Sequence, residues 1–171
     1  MHTRTGHHLE ITLRLATARD RDFLTAMLIE AASWHPLRAP LTKEQLLAEP
    51  KLRHYVDGWP RAGDTGLIAL DPAGNAVGAA WLRCFPADNP GYGFVDPQTP
   101  ELSIGVDADH RGRGVGRKLC AGILDRAARS GLRRVSLSVA KANRAAALYP
   151  RLGFRVHADA GDALILLWSA P

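Results

Sequence analysis

The chain is short of the features that mark several protein classes. Its 171 residues include two cysteines, Cys84 and Cys120, far apart and without metal-ligand spacing. They argue against a disulfide framework or a cysteine-based metal site, and both are expected to be reduced, mostly buried thiols of a cytoplasmic protein. The longest apolar run, Ala163–Trp168, is strand-sized and far below the roughly 18 residues of a membrane span. Met1–His8 lack the apolar core of a secretory signal. The seven histidines are too scattered to suggest a metal. Acidic residues are nearly missing from one stretch. Between His110 and Val156, Asp125 is the sole acid against twelve Lys or Arg, a local net charge of +11, while the remainder carries ten basic and sixteen acidic residues. Such a field attracts a polyanion, either a nucleic-acid backbone or a small polyphosphate. Aromatics are scarce too: besides histidine, only Tyr149 and Phe154 fall in that stretch. A single-stranded nucleic-acid groove interleaves aromatics with its cations, so their scarcity argues against that partner.

What is present suits one domain spanning 1–171, with 46% apolar and 23% charged residues, enough for a core without staples. Leu9–Leu15 alternates as a strand does. Thr17 or Asp20 caps a helix running to about Trp34, where His35-Pro36 ends it. Thr42 and Gln45 form a capping box for a short helix that Pro50 is expected to close. Residues 51–64 are irregular. Thr65–Leu70 and Ala76–Phe85 are expected to pair as a hairpin across the turn Asp71–Asn75. The proline- and glycine-bearing segment 86–100 is expected to be an ordered loop. Glu101–Val106 is a strand, and a helix follows from about Gly114 to Ser130. That helix has Val115, Leu119, Ile123 and Ala127 on one face, and Gly131 is its natural stop. Arg134–Val139 is a strand, 143–152 a short helix, and 154–157 with 163–168 a last hairpin. Strands mixed with helices define an α/β or α+β domain.

The chemistry is concentrated at His110–Lys118, between a strand and a helix. Gly112, Gly114 and Gly116 let the backbone turn and expose its N–H groups. With the positive end of the following helix they make an anion site, to which Arg113, Arg117 and Lys118 add charge. The glycine spacing misses the dinucleotide fingerprint by one residue, and Arg117 stands where a Walker loop requires lysine.

Arg111-Gly112-Arg113-Gly114-Val115-Gly116 resembles the Arg/Gln-x-x-Gly-x-Gly/Ala signature of the GNAT N-acetyltransferase superfamily. Its surroundings agree with that: the strand Glu101–Val106 before it, then the strand Val135–Val139, Asn143, and Leu148-Tyr149-Pro150-Arg151-Leu152-Gly153-Phe154. Together these cover about a third of the chain. Asn143 and Tyr149 stand six residues apart, where many members have seven. The resemblance implies a mixed, mostly antiparallel central sheet with flanking helices, splayed between the strands at about 101–106 and 134–139. It implies acetyl-CoA as cosubstrate and no metal. Arg111, Gly112, Arg113, Gly114, Val115 and Gly116, with Arg117, would hold the pyrophosphate. The backbone at Ile104, Gly105 and Val106 would pair with the pantetheine arm, and Asn143 would bond the pantetheine or acetyl region or cap its own helix. Val106 N–H would hold the oxyanion.

Acetyl transfer to an amine needs two proton movements. The leaving thiol has a pKa of about 8.5, and a phenol near 10 is a suitable donor; by resemblance this is Tyr149. The acceptor ammonium must lose a proton, and Glu101 is the candidate base. Ser103 could orient a water and His110 is a weaker candidate. The acceptor would be a small-molecule or peptide amine, with Trp34, Tyr55, Trp59, Trp81 and Tyr92 as candidate pocket residues. No nucleic acid or membrane partner is expected, and a homodimer is an analogy to the fold. The competing reading is an acyl-CoA-binding sensor or interaction module without turnover.

Overall fold

A computed structural model describes residues 9–171; Met1–His8, expected above to lack a secretory signal, lie outside the described residues. The elements in chain order are β1 (Thr12–Leu15), α1 (Arg21–Ala32), α2 (Lys43–Ala48), α3 (Pro50–Arg53), β2 (Thr65–Leu70), β3 (Ala76–Arg83), β4 (Glu101–Val106), α4 (Val115–Arg129), β5 (Arg134–Ala140), α5 (Leu148–Arg151), β6 (Arg155–Asp159) and β7 (Ala163–Ser169). The seven strands form one sheet in the order β1-β2-β3-β4-β5-β7-β6. Every neighbouring pair is antiparallel except β4 and β5. The mixed, mostly antiparallel sheet with flanking helices is the architecture expected from the sequence.

Each face of the sheet has its own core. α4 lays Val115, Leu119, Cys120, Ile123, Leu124 and Ala127 against one face. There it packs on Leu102, Leu137, Val139 and Leu166, in the cluster that also holds Tyr149 and Phe154. The stripe works because these positions recur at helical spacing, and the backbone past Gly131 turns back so that Leu132 N–H bonds Ala127 C=O at 3.0 Å. The other face carries Leu24, Met27 and Leu28 of α1, with Leu46, Tyr55, Val56, Trp59, Ile68 and Trp81. α1 approaches β4 so closely that a Cβ on Gly105 would lie 2.2 Å from Met27 C=O.

The expected capping box at Thr42 with Gln45 forms; Thr17 forms a second box with Asp20 that opens a 3-10 turn, Ala18–Asp20, ahead of α1. Pro50 differs from expectation. It opens α3 at the first helical position, where its missing N–H costs nothing, and Glu49 caps that turn. The expected helix 143–152 is a 3-10 turn, Arg144–Ala147, followed by α5. Cys84 is exposed, not buried; only Cys120 is a core thiol.

Candidate active site

β4 and β5 run parallel but touch at one register pair, Glu101 with Ser136. Ser136 N–H bonds Pro100 C=O at 3.0 Å at this junction. Past it the strands part. The direction of the backbone groups follows from the β3–β4 ladder. Asp107 N–H bonds Val77 C=O, its opposite residue, so hydrogen-bonded pairs fall at alternate residues back from that point. Gly105 opposes Ala79 and Ser103 opposes Trp81, and these residues direct their N–H and C=O groups to β3. Ile104 and Val106 therefore direct theirs into the gap. Gly105, expected to line the gap through its backbone, has those atoms in the β3 ladder instead and serves α1 packing. On the β5 side, Ser136 N–H points to β4 while odd-numbered residues pair with β7, as Lys141 does with Asp162. Ser138 thus faces the gap as well.

The glycine turn lies at the open end. Gly112 and Gly114 hold left-handed φ values of 72° and 84°, which glycine adopts without cost. A Cβ at either position would meet nothing within 4 Å, so both face open space. Gly114 also caps α4, and Lys118 N–H is the first to bond back, to Gly114 C=O. Among the described residues no acceptor takes the N–H groups of residues 112–117, which include the unpaired first turn of the helix. Arg111 is different. Its N–H already contacts Ala108 C=O at 3.4 Å, while its guanidinium bonds Val106 C=O at 3.2 Å and Glu30 of α1 at 2.5 Å. Lys118 likewise turns away, its ammonium on Ile11 C=O. Arg113 and Arg117 form no ion pair among the described residues. This donor set, glycine N–H groups in open space with two unpaired cations beside them, fits a pyrophosphate.

The two proton-handling candidates flank the gap from opposite faces. Leu102, Ile104 and Val106 side chains join the α4 cluster, as Tyr149 does, whereas Glu101 faces Tyr55 of the other core. Tyr149 is buried and stacks edge-on with Phe154 at 5.7 Å. Burial, aided by the nearby Cys120 thiol, raises its pKa and keeps the phenol protonated. Glu101 is 4% exposed. Its Oε1 accepts Tyr55 O–H at 2.5 Å and Gly93 N–H at 2.8 Å. Its Oε2 is buried and accepts nothing among the described residues. Burial pushes the carboxyl up to about 7, against the opposing pull of the Tyr55 and Gly93 bonds. Ser103 lies buried two residues along on the same face. His110 pairs with Asp107 at 3.2 Å in the turn after β4. Asn143 caps the 3-10 turn, its Oδ1 accepting Ala145 N–H at 3.0 Å, and its amide N–H groups have no acceptor among the described residues.

Of the five candidate pocket aromatics, Trp59 and Trp81 are core residues, 6% and 0% exposed. Their indole N–H groups bond Thr17 C=O and Tyr55 C=O. Trp34 is half-buried at the end of α1, and Tyr92 is 52% exposed. Sequence reasoning missed the Tyr55–Glu101 contact, which joins residues 46 apart. It also missed Arg83, buried against Asp64 at 2.7 Å. Neither contact leaves a local pattern.

A seven-stranded sheet parted between two parallel strands, with a glycine turn at the parting, is a GNAT-type acyltransferase fold. The family model described as the acetyltransferase (GNAT) family matches residues 28–154, and the chain belongs to that family. It is 35% identical over 153 residues to a mycothiol acetyltransferase of Propionibacterium freudenreichii subsp. shermanii, a match covering 87% of this chain and 45% of that protein. A mycothiol acetyltransferase of Salinispora arenicola is 36% identical over 148 residues, covering 84% and 44%. The chain thus spans less than half the length of these relatives. A PaiA N-acetyltransferase of Thermoplasma acidophilum, solved in complex with coenzyme A, shares the fold with a TM-score of 0.63 at 16% identity, over 94% of this chain and 99% of that one.

Proposed function

We propose that the chain is an acetyl-CoA-dependent N-acetyltransferase acting on a primary amine of a small molecule or peptide. The observation that carries the reading is the gap itself. Unpaired backbone groups of Ile104 and Ser138 and the N–H of Val106 line it, and it ends at six free N–H groups within the +11 segment. An extended, phosphorylated thioester has the shape and charge for that channel. The cosubstrate supplies an activated acetyl group on a thiol leaving group.

The chain's own groups would then divide the work. Gly112–Arg117 bind the pyrophosphate through N–H groups, with Arg113 and Arg117 adding charge. Ile104 pairs with the amide arm like an added strand. Val106 N–H stabilises the oxygen that gains charge. Glu101 takes the proton from the acceptor ammonium, and Tyr149 gives one to the departing thiolate. The curated relatives are named for mycothiol, but this chain matches less than half of each, so the acceptor is assigned here by chemistry alone. The reading is of a cytoplasmic enzyme with both thiols reduced. Among the described residues, no helix is long and apolar enough to cross a membrane.

Titration calorimetry with acetyl-CoA, free CoA and ATP tests the cosubstrate. Micromolar binding of both CoA species, weak binding of ATP, and loss in Gly114→Glu are expected. A folded sample that binds neither CoA species sinks the reading. Thiol release is then followed with a polyamine, an amino sugar, an α-amino-acid amide and a tripeptide. Tight CoA binding with no turnover on any amine would favour a non-catalytic sensor.

A further inference from the structure

The two oxygens of Glu101 are in unequal states. Oε1 is saturated by Tyr55 O–H and Gly93 N–H. Oε2 is buried without a hydrogen bond, in the space a Cβ on Gly91 would occupy, 1.9 Å from that position. Tyr55 is also held on its other side, because its oxygen accepts Tyr92 N–H at 2.8 Å. One phenol therefore joins the carboxylate to the Gly91–Gly93 segment.

The phenol sits on a fixed base. Trp81 Nε1 donates to Tyr55 C=O at 3.0 Å. Arg83 donates to His54 C=O at 2.9 Å and to Asp57 C=O at 2.7 Å. Arg83 is itself anchored by two bonds to Asp64. It is the register partner of Glu101 on β3, yet its charge is spent on Asp64 and these carbonyls, so no cation neutralises Glu101. From the loop, Tyr92 stacks on Tyr55 at 6.4 Å and Asp96 is paired with Arg134. From β5, Ser136 presents a buried hydroxyl without charge. His54 is pushed below its ordinary pKa by burial. Tyr55 and the Gly93 amide are thus the groups that favour the ionised carboxylate.

We propose that Tyr55 is a positioning residue for acetyl transfer. It locks Oε1 of Glu101 against the Gly91–Gly93 segment, which leaves Oε2 as the oxygen that receives the acceptor's proton. The inference rests on Glu101 as base. The protons balance: one ammonium N–H breaks and Oε2 gains that proton, the freed nitrogen lone pair forms the C–N bond, the C–S bond breaks with its electron pair on sulfur, Tyr149 protonates that thiolate, and the second proton lost by the attacking nitrogen restores the phenol. A phenol that donates to the carboxylate stabilises its ionised form, so removing it lets burial act with less opposition.

The test uses the full chain with 13C-labelled glutamate. The Glu101 carboxyl resonance, assigned by its loss in Glu101→Gln, is titrated in the wild type and in Tyr55→Phe. The pH dependence of thiol release is measured with the amine that serves best in the panel above. The expected result is an upward shift of about one pH unit in both the resonance and the acid limb of kcat/KM. 3-Fluorotyrosine at position 55 preserves the fold and strengthens the donor, so it should move both downward. If neither substitution moves the resonance, Tyr55 only packs, and the proposal is overturned. A resonance that moves while the acid limb stays fixed removes Tyr55 from the reaction. A limb that persists in Glu101→Gln shows instead that Glu101 was never the base.

Discussion

Glu101 and Tyr149 are both buried, and burial acts on each through the same physics: it disfavours the charged form. For the phenol this keeps the proton in place, as the proposed role of donor to a thiolate requires. For the carboxyl it brings the pKa to about 7, which suits the proposed role of a base working near neutrality. Glu101→Gln should lower kcat/KM on the order of 10²-fold and abolish the acid limb of the pH–rate profile; an intact limb would assign the base elsewhere. Tyr149→Phe should lower kcat by a similar order while calorimetry finds acetyl-CoA affinity nearly unchanged. An unchanged rate would remove Tyr149 from the mechanism. At this scale the sequence was partly legible. Tyr149 and Glu101 stand out because each lies within or beside a recognisable segment. Tyr55 does not, because its contact with Glu101 is made by the fold and leaves no local spacing to read.

The segment before β4 and the turn before α4 constrain the backbone in different ways. At Gly93 an added Cβ would meet Leu137 C at 2.7 Å and Ser138 N at 2.8 Å. Those are backbone atoms of β5 and cannot yield. Gly93→Ala should therefore displace the loop and cost about 1–3 kcal/mol of stability, read as a lower thermal midpoint. Gly91→Ala meets a carboxylate oxygen instead, and should reduce turnover more than stability. Gly114 differs again. Its Cβ would be unobstructed, but its φ of 84° and its place among free N–H groups make a glutamate there both strained and repulsive to phosphate. The element pattern was largely visible beforehand because α4 and the strands follow clean periodicities. The exceptions were short pieces. Pro50 signalled a boundary, but a proline at a first helical position and one beyond a helix end look alike in sequence.

Glu101 also leaves a mark on the whole molecule. Its folded pKa of about 7 lies above its ordinary 4.5, so between those values the native state holds more proton than the unfolded chain. Stability from this group is complete below pH 4.5 and declines as pH rises toward 7, by an amount on the order of 3 kcal/mol. Denaturant melts of wild type and Glu101→Gln should diverge over that window, with the variant relatively more stable at pH 8. Parallel curves would mean that the carboxyl is not held in its protonated form.

The single residue pair at Glu101 and Ser136 divides the sheet mechanically. Four strands form one leaf, three form the other, and the seam between them is bonded at one end. Heat or denaturant would find its least resistance along that seam. Amide exchange at Ser138, Ile104 and Val106 should accordingly outpace exchange in the β2–β3 ladder. A ligand lying in the seam would act as an eighth strand, slowing those amides and making the two leaves unfold together.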